Sequence, residues 1–399
     1  MNAPVFIAGL GVVSAIGHNA QDCLGALSME KAGMGELELL RSLQQGKLPV
    51  AEIKLSNQQL ASMTGLSPGT PRTALLSALA AGEAIKDAGM ENVQNSRTGF
   101  ISANTVGGMD KTEEFFESFM KDPASGKLHD VVHHECGAIT EIVADHFGIH
   151  HFISTVSTAC SSSANAVFTG ARMIRHGLLD IAVVGGADAL TRFTLNGFNT
   201  LMILDKKYCK PFDEHRNGLN LGEGAGYLVL VSEKIMKQLN KSAYCTLAGY
   251  SNANDAYHQT ASSPEGTGSY LAMKQALASA GLKPGDIDYI NLHGTGTSNN
   301  DIAEGTAIKL LFDPVYPKMS STKSFTGHTL GASGGIEAVF SALAIRDGII
   351  YPNLRFETPM KEFSFTPVVR FLKDRRVRHV LSNSFGFGGN CSSLIFSAC

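Results

Sequence analysis

The stretch Phe152–Phe168 reads FISTVSTACSSSANAVF. It opens with an apolar, β-branched run that predicts a strand, and it continues after a short turn in a pattern typical of a helix that reaches Arg175. This order places the thiol of Cys160 at a helix N-terminus, where free backbone N–H groups and the macrodipole favour a thiolate. A thiolate is a strong nucleophile, so Cys160 is a candidate covalent catalyst. A buried structural cysteine is the alternative.

Three segments further along the chain favour the catalytic interpretation. The first, His293–Thr297 (HGTGT), follows an apolar run that predicts a strand, so its histidine projects into a crevice. The second, Ser320–His328 (SSTKSFTGH), places Lys323 and His328 on either side of a turn. The third, Asn383–Asn390 (NSFGFGGN), has three glycines around two phenylalanines, which is typical of a loop that approaches a ligand closely. Together these motifs predict an active site around the cysteine.

With these motifs the chain resembles the elongating β-ketoacyl-acyl-carrier-protein synthases, condensing enzymes of the thiolase superfamily. The resemblance runs from Ile7–Ser14 (IAGLGVVS) to Ser393–Phe396 (SLIF) and so covers almost the whole chain. Further matching segments are Asp188–Leu190, Pro211–Asp213, Gly222–Gly226 and Asn254–His258. Initiating synthases and thiolases use different partners for the cysteine, so the segment with Lys323 and His328 indicates the elongating type.

Strand-like and helix-like runs alternate along the chain, which predicts an α/β fold with covered sheets. The strand candidates include Phe6–Leu10, Thr98–Ser102, Ile181–Gly185, Tyr227–Val231 and Ala243–Tyr250, and the helix candidates include Thr73–Ala88, Gly137–Phe147, Ser269–Ala280 and Gly335–Asp347. The polar segment Glu36–Gly65 is interpreted as a surface excursion. The resemblance implies a thiolase-like fold of two similar halves in five layers, αβαβα. Residues 1–240 would carry Cys160, and residues 241–399 would carry the two histidines and the lysine.

The resemblance also implies the reaction, a decarboxylative Claisen condensation by an acyltransferase of class EC 2.3.1. Cys160 would hold the acyl group as a thioester and join it to malonyl-acyl carrier protein. His293 and His328 would donate hydrogen bonds to the oxyanion that forms on decarboxylation. Lys323 would be an ammonium beside His328, with Glu304 as its counter-charge.

The remaining site residues implied by the resemblance surround these four. The backbone N–H groups of Cys160 and Phe387 would form a second oxyanion hole, and the Phe387 side chain would gate the acyl pocket. Asp301 and Phe385 would support the site, and the pocket would be lined by Val106, Phe198, Thr295, Thr297 and Gly388. A structural monovalent cation is expected near Asn291, Glu337, Ser382 and Asn383.

Composition limits the other function classes. The net charge of −3 provides no bulk field for nucleic acid or an anionic membrane. Seven cysteines without paired spacing argue against a disulfide framework, and no spacing of histidine or cysteine predicts a zinc site. The glycine runs complete neither a dinucleotide signature nor a P-loop, so no nucleotide or other cofactor is expected. We expect no signal peptide, no membrane span and a cytoplasmic location.

The expected partners are acyl carrier protein, as acyl- and malonyl-carrier, and a second subunit. In the family the sheets of two subunits join through a strand, which here would lie near Phe152–Thr155, and the loop Asn104–Met109 would approach the partner's acyl chain. An open sheet edge is a feature that proteins avoid. A homodimer is therefore expected, or a heterodimer with a related chain.

Three alternatives remain open at this stage. A dedicated synthase for aryl polyene or flexirubin-type pigments is favoured by the polyketide-like loop HGTGTSNND and by Met202, which stands where fatty-acid enzymes often carry a basic carrier-docking residue. A non-catalytic subunit that sets chain length would lack the nucleophile, so Cys160 speaks against it. A cysteine hydrolase would need neither a second histidine nor Lys323.

Overall fold

The computed structural model describes residues 3–90 and 93–399. Its strands are β1 Val5–Ser14, β2 Thr98–Ala103, β3 Phe152–Val156, β4 Ile181–Asp188, β5 Gly224–Ser232, β6 Cys245–Asn254, β7 Tyr289–Asn291, β8 Lys318–Ser320, β9 His379–Phe385 and β10 Asn390–Ser397. Its helices are α1 Ala20–Ser28, α2 Asn57–Thr64, α3 Arg72–Asp87, α4 Met109–Lys121, α5 Cys136–His146, α6 Ser162–Arg175, α7 Arg192–Thr200, α8 Glu233–Met236, α9 Thr267–Ala280, α10 Ser298–Phe312, α11 Lys323–Thr326 and α12 Ser333–Asp347.

The strand order shows an internal repeat. The strands run β3-β2-β4-β5-β1-β6-β10-β9-β7-β8, so the order of the first five in the chain is repeated, as a mirror image, by the last five. The two sets meet where β1 pairs antiparallel with β6 at Phe6 and Ile7. This repeat, with its junction between Ser232 and Cys245, supports our proposal that residues 1–240 and 241–399 are two similar halves.

The helices complete the five layers expected from the sequence. Helices α6 and α12 contact each other and strands of both halves, so they form the middle layer. Helices α3 and α5 cover the outer face of the first half, and α9 with α10 covers the second. Strands β2 and β4 are buried along their whole length, as expected for strands covered on both faces.

The middle layer packs closely because of glycines. A Cβ on Gly226 of β5 would lie 2.3 Å from the backbone nitrogen of Ile336, and a Cβ on Gly335 would lie 2.4 Å from the carbonyl oxygen of Gly226. Neither contact is sterically allowed, so only glycine permits helix α12 to lie this close to the sheet. The helix is buried from Ser333 to Ile345, and it brings Glu337 into the interior of the protein.

The four helices predicted from the sequence are confirmed to within two residues at each end, and the five strand candidates are confirmed as β1, β2, β4, β5 and β6. The interpretation of Glu36–Gly65 as a surface excursion is wrong in part. The segment contains α2 and buries Leu37, Val50 and Ile53. Its apolar residues are spaced irregularly and pack in two different clusters, so the sequence shows no periodic buried face. Among the described residues, no helix is long and apolar enough to cross a membrane.

One edge of the sheet lies beside the nucleophile. Within residues 3–90 and 93–399, strand β3, which leads to Cys160, pairs only with β2, and it is half-buried along its length. It therefore carries unpaired backbone groups on its other side. Elsewhere, helix α4 buries none of its residues and exposes Phe116, Phe119 and Met120.

Candidate active site

The turn between β3 and α6 holds the cysteine in a strained backbone. Ala159 has φ of 53°, a left-handed conformation that is uncommon for a residue with a side chain. The hydroxyl of Ser162 stabilises the turn, since it accepts the N–H of Thr158 and donates to the carbonyl of Ala159. The result places Cys160 immediately before the first turn of α6, as the sequence predicts.

Burial opposes the thiolate form that the helix start favours. Cys160 is 5 % exposed, and burial raises the pKa of its thiol to about 11. The charge of Lys323 and the backbone N–H of Phe387 act in the opposite direction. The expected gain from the helix N-terminus is therefore outweighed in the free protein, and the positive charge of Lys323 is the main local feature that favours ionisation.

His293 is held by carboxylates beneath its loop. The residue follows β7, and its backbone N–H donates to Oε1 of Glu304 at 2.9 Å, while the N–H of Gly294 donates to Oε2 at 2.8 Å. Asp301 accepts the N–H groups of Thr295 and Gly296 in the same way. Both carboxylates come from α10 and are fully buried. Their support role, predicted from the sequence, is to shape the histidine loop.

The partners predicted for Lys323 are wrong in two respects. Its counter-charge is Glu337 of α12, with which it forms a buried ion pair, because Glu304 is already occupied by backbone N–H groups and by the amide of Asn383. The ammonium also lies 3.3 Å from Nδ1 of His293, instead of bonding to His328. Helix α11 starts at Lys323 and directs the side chain across the site toward β7.

The two histidines present the same tautomer to the site. Nδ1 of His328 accepts the N–H of Leu330 at 3.0 Å, so the neutral ring carries its proton on Nε2. Nδ1 of His293 faces the ammonium of Lys323, which again leaves the proton on Nε2. Burial and the lysine charge lower the pKa of His328 to about 3 and that of His293 well below its usual range. Both rings are therefore neutral near pH 7, with Nε2–H as a donor.

The fold brings the distant motifs into one small cavity. Ligand atoms of Cys160, His293 and His328 lie within 4.8 Å of one another, and the histidine ring centroids are 5.5 Å apart at nearly a right angle. The cavity in front of them has a volume of about 80 Å³. Its lining includes all three side chains and Phe198, Ile203, Leu219, Thr260, Thr295, Thr297, Asn299, Asn300, Phe385 and Phe387.

The glycine-rich loop between β9 and β10 closes one side of this cavity. The rings of Phe387 and Phe198, which both line the cavity, stack with centroids 5.8 Å apart. The backbone N–H groups of Phe387 and Cys160 both face the sulfur atom. Gly386 makes this approach possible, since a Cβ there would lie 3.1 Å from the backbone nitrogen of Cys160.

Two of the expected pocket residues do not line the cavity. Val106 is buried in an apolar cluster with Leu190, Leu195 and Leu219, and Phe198 packs against that cluster from the cavity side. Gly388 follows Phe387 in the glycine-rich loop, and the φ of Gly388 is 80°. Phe198, Thr295 and Thr297 line the cavity as expected, and Leu219 of the cluster that holds Val106 lines it too.

Of the four residues expected to hold a monovalent cation, only some have free oxygen atoms for it among the described residues. Both amide atoms of Asn291 and Oε2 of Glu337 are buried without a hydrogen-bond partner in the part of the chain that the structure describes. Ser382 is paired with Asn291 in the sheet register. The amide oxygen of Asn383 already accepts the hydroxyl of Ser393. Oxygen atoms of Asn291 and Glu337 could thus hold a hard cation, in a structural role.

Sequence reasoning missed two polar side chains that support the site, of which the first is buried. Asp188 at the end of β4 accepts N–H groups from Thr105, Val106 and Gly331, although it has no exposed surface. It ties the loop after β2 to the segment that follows His328. The signal in the sequence is a carboxylate that directly ends the apolar run 181–187.

The second missed group is the amide of Asn390. Its Oδ1 accepts the hydroxyl of Ser161 at 2.7 Å and the side-chain amides of Asn165 and Asn252. Its carbonyl oxygen accepts the N–H of Gly386. Asn390 thereby connects the nucleophile turn to the glycine-rich loop. No pattern in the sequence predicts this connection, because the partners come from both halves of the chain.

Comparison with known proteins gives matches over nearly the whole chain. Residues 2–234 match the family described as beta-ketoacyl synthase, N-terminal domain, and residues 244–357 match its C-terminal domain. A 3-oxoacyl-[acyl-carrier-protein] synthase 2 from Staphylococcus aureus (strain COL) is 32 % identical over 406 residues, covering 99 % of this chain and 98 % of the relative.

Two solved structures share the fold along the whole chain. One, the ishigamide ketosynthase/chain length factor, has a TM-score of 0.95 and 28 % identity, with full coverage of both chains. The other, a ketosynthase in complex with its chain length factor from Xenorhabdus doucetiae, has a TM-score of 0.85 and 29 % identity, covering 100 % of this chain and 98 % of that one.

Proposed function

The chain belongs to the β-ketoacyl synthase family, and from this premise we propose that it elongates an acyl chain held on Cys160 with a two-carbon unit from malonyl-acyl carrier protein. The observation that carries the proposal is the convergence of the Cys160 sulfur with ring nitrogens of His293 and His328, all within 4.8 Å. A nucleophile next to two neutral donors is what a condensation with an enolate intermediate requires.

The first step is acyl transfer to the enzyme. The sulfur of Cys160 attacks the carbonyl of an acyl-carrier thioester, and the carbon–sulfur bond to the carrier breaks. The thiol proton of Cys160 passes to the leaving carrier thiolate. The charge that develops on the carbonyl oxygen would be stabilised by the N–H groups of Cys160 and Phe387, which both face the Cys160 sulfur.

The second step is decarboxylation of the malonyl thioester. The bond to the carboxylate breaks, CO₂ leaves, and the electron pair forms an enolate whose oxygen accepts hydrogen bonds from Nε2–H of His293 and His328. The enolate carbon then attacks the acyl thioester on Cys160, whose sulfur leaves and takes up one proton. The products are a β-ketoacyl carrier two carbons longer, CO₂ and the free thiol.

Lys323 acts on this step through His293. Its ammonium holds Nδ1 of the ring at 3.3 Å and fixes Nε2 as the protonated nitrogen. The ion pair with Glu337 keeps the ammonium in place in a buried position. We therefore assign Lys323 as a positioning residue, which raises the donor strength of His293 without touching the acyl group.

A subunit that only sets chain length is a weaker proposal for this chain. Such a subunit has no need of the nucleophile, whereas here Cys160 and both histidines are present and converge. The same geometry argues against a hydrolase. Two hydrogen-bond donors, on His293 and His328, lie beside the cysteine in the cavity, and simple hydrolysis has no use for both of them.

Assembly with a second subunit follows from the edge of the sheet. Among the described residues, strand β3 has an unpaired side and is only half-buried along its length. We propose that a second copy, or a related chain as in the similar ketosynthase/chain length factor structures, pairs with β3 and covers this face. A heterodimer with a related chain would suit a dedicated polyketide or pigment synthase.

Carrier contact is proposed at two exposed lysines that follow a cavity residue in the chain. Lys206 and Lys207 are exposed and lie close in sequence to Ile203, which lines the cavity. Neither forms an ion pair with another described residue. Met202 is 88 % exposed beside them, whereas Arg72 is buried in an ion pair with Glu223 and is not available at the surface. Seven free cysteines further support a location in the reducing cytoplasm.

The test is mass spectrometry of carrier-bound products after purified protein meets an acyl carrier and malonyl carrier. We expect a β-ketoacyl carrier and a transient acyl adduct on the protein. Cys160→Ala should lose both, and Cys399→Ser, which removes an exposed thiol far from the cavity lining, should keep both. A β-ketoacyl product from the Cys160→Ala variant would contradict the proposed function.

A further inference from the structure

The ring of His328 takes its orientation from the residues that follow it in the chain. The histidine backbone is fixed by the neighbouring segment, since its N–H donates to the carbonyl oxygen of Asn220 and its carbonyl oxygen accepts the N–H of Gly222. The ring is fixed separately, because Nδ1 accepts the N–H of Leu330 at 3.0 Å. A shift of Leu330 would therefore release the ring while the histidine backbone stays in place.

Leu330 itself is held in a strained conformation. Its φ is 52°, in the left-handed region that is uncommon for a residue with a side chain. Such a conformation persists only where the surrounding contacts hold it. Leu330 opens the short turn Leu330–Ala332, in which the N–H of Gly331 donates to Oδ2 of Asp188 at 2.7 Å. The carboxyl of Asp188 thus supplies a holding contact directly after the strained residue.

The carboxyl group of Asp188 accepts donors from two segments of the chain. Its Oδ1 accepts the N–H groups of Thr105 at 2.8 Å and Val106 at 3.2 Å, and its Oδ2 accepts the hydroxyl of Thr105 at 2.7 Å in addition to the N–H of Gly331. Asp188 has no exposed surface, so water does not compete for these donors. Only glycine fits at position 331, since a Cβ there would lie 2.8 Å from Oδ2.

We propose that Asp188 is a positioning residue for decarboxylation, acting on His328 through the turn Leu330–Ala332. Asp188 does not line the cavity. Because its carboxyl holds the turn, the N–H of Leu330 stays on Nδ1 of His328. The neutral ring then carries its proton on Nε2, where the enolate oxygen needs a donor. The step that is affected rests on the proposed function, whereas the effect on the ring can be measured without substrate.

The nearby hydroxyl of Ser333 does not replace the N–H of Leu330 in this role. Its oxygen lies 3.4 Å from Nδ1 of His328 and 3.1 Å from the hydroxyl of Thr329. A backbone N–H is a donor only and so fixes the tautomer, whereas a hydroxyl donates or accepts and is compatible with both tautomers. When the N–H of Leu330 moves away, part of the His328 population should carry its proton on Nδ1, with no donor toward the cavity.

Asp188→Asn removes this contact with little change in shape. The amide has a single oxygen, which can face the N–H groups of Thr105 and Val106. Its NH₂ group then faces the N–H of Gly331, and the hydroxyl of Thr105 can turn to accept from it. The N–H of Gly331 is therefore left without its acceptor, and the turn Leu330–Ala332 loses the contact that holds it.

The kinetic test compares the two chemical steps. In Asp188→Asn, decarboxylation of malonyl carrier should fall by about 10-fold, less than on removal of a donor, while acyl adduct formation on Cys160 stays within about twofold. Glu52→Gln is the matched control, because Glu52 is also buried and accepts the backbone N–H groups of Glu38 and Leu40, which do not line the cavity. It should leave both steps unchanged. Unchanged decarboxylation in Asp188→Asn, equal losses in both steps, or the same loss in Glu52→Gln would overturn the proposal.

The tautomer of His328 is read by two-bond ¹H–¹⁵N correlation NMR of protein labelled with ¹⁵N-histidine. His328→Ala identifies the signals of this ring by their loss. The ring should be in the Nε2–H form in the unmodified protein and in Glu52→Gln, and a share of the Nδ1–H form should appear in Asp188→Asn. Gly331→Ala, which keeps the carboxyl but displaces the turn from it, should give the same change.

A His328 ring that stays in the Nε2–H form in both Asp188→Asn and Gly331→Ala would show that the carboxyl does not position it. The NMR samples contain no substrate. They therefore decide the connection between Asp188 and His328 separately from the proposed condensation, which is tested by its products.

Discussion

The ammonium of Lys323 lies 3.3 Å from Nδ1 of His293, inside the protein. A lysine in this position affects a histidine in two ways. It disfavours protonation of the ring, which lowers the pKa of His293, and it fixes the proton of the neutral ring on Nε2. The contact thus links a buried ion pair on α11 and α12 to a donor that faces the cavity.

We expect Lys323→Met to separate the two chemical steps. Methionine keeps much of the side-chain volume and removes the charge, so His293 loses the group that fixes its tautomer. Decarboxylation of malonyl carrier should fall by about 10²-fold, the scale of losing one oxyanion donor, while acyl transfer to Cys160 falls much less. Carbon dioxide release and intact-protein mass spectrometry measure the two steps separately.

The controls for Lys323→Met address folding and charge. Lys318→Met removes an exposed lysine nearby in sequence and should leave both rates unchanged. The double variant Lys323→Met with Glu337→Gln removes the unpaired buried carboxylate, so it should regain thermal stability without regaining decarboxylation. Recovery of decarboxylation in the double variant would show that the lysine serves only to neutralise Glu337.

Loss of either histidine should separate acyl transfer from decarboxylation more strongly than loss of Lys323 does. His328→Ala and His293→Ala each remove one Nε2–H donor and leave the backbone N–H groups of Cys160 and Phe387 in place. We expect decarboxylation to fall by about 10²–10³-fold in each variant, with an acyl adduct still formed on Cys160. Equal losses in both steps would mean that a histidine acts as the base for the cysteine.

Much of this architecture could be predicted from the sequence because its signals are local. The run through Phe152–Phe168 changes from strand to helix within a few residues, and the structure has β3 and α6 at those places. The four catalytic candidates each lie in a motif with glycine or small residues, and such a motif can be recognised from the sequence alone.

The wrong predictions concern contacts between distant elements. Glu304 was expected beside Lys323, but the sequence cannot show that α12 passes through the middle layer and delivers Glu337 instead. Val106 was expected in the pocket wall, but Leu219 of the same apolar cluster lines the cavity in its place. Packing of side chains across layers decides such contacts, and no local pattern encodes it.

The gate can be tested at Gly388, where φ is 80°. A Cβ at this position meets no atom within 4 Å, so alanine would strain only the backbone and limit the movement of Phe387. We expect Gly388→Ala to slow acyl transfer severalfold without unfolding the protein, measured by the rate of adduct formation. Gly65→Ala is the matched control, since Gly65 has φ of 77° and equal space at the end of α2. Equal transfer rates in both variants would identify the loop as a fixed turn.

The buried carboxyl of Asp188 gives a pH-dependent prediction. Burial raises its pKa from 3.8 to about 6, so the folded state binds a proton more tightly than the unfolded state does. Linkage then requires the contribution of Asp188 to stability to be largest below about pH 4, to fall as pH rises to about 6, and to stay constant above that.

This contribution can be measured by urea unfolding at several pH values. The free energy of unfolding of Asp188→Asn is subtracted from that of the unmodified protein, so the contributions of the other carboxyl groups cancel. The stability advantage of the unmodified protein should shrink by about 2 kcal/mol between pH 4 and pH 7. An advantage that grows with pH would show that the N–H donors from Thr105, Val106 and Gly331 outweigh burial and keep the carboxylate ionised.

The apolar cluster that holds Val106 predicts how product length is limited. Val106 belongs to this cluster with Leu190, Leu195 and Leu219, and Leu219 lines the cavity together with Phe198. A growing acyl chain that extends past these two side chains enters the cluster, so the space around Val106 becomes the floor of the pocket. Val106→Phe should therefore shorten the longest product, and Val106→Ala should lengthen it.

Mass spectrometry of carrier-bound products, after extension with excess malonyl carrier, reads the length directly. Val132→Phe is the matched control, because Val132 is 60 % exposed and a larger side chain there meets no core. It should leave the product profile unchanged. Identical profiles for Val106→Phe, Val106→Ala and the control would place the acyl chain elsewhere, and the Phe198–Phe387 stack would then close a pocket whose length is already fixed by the cavity.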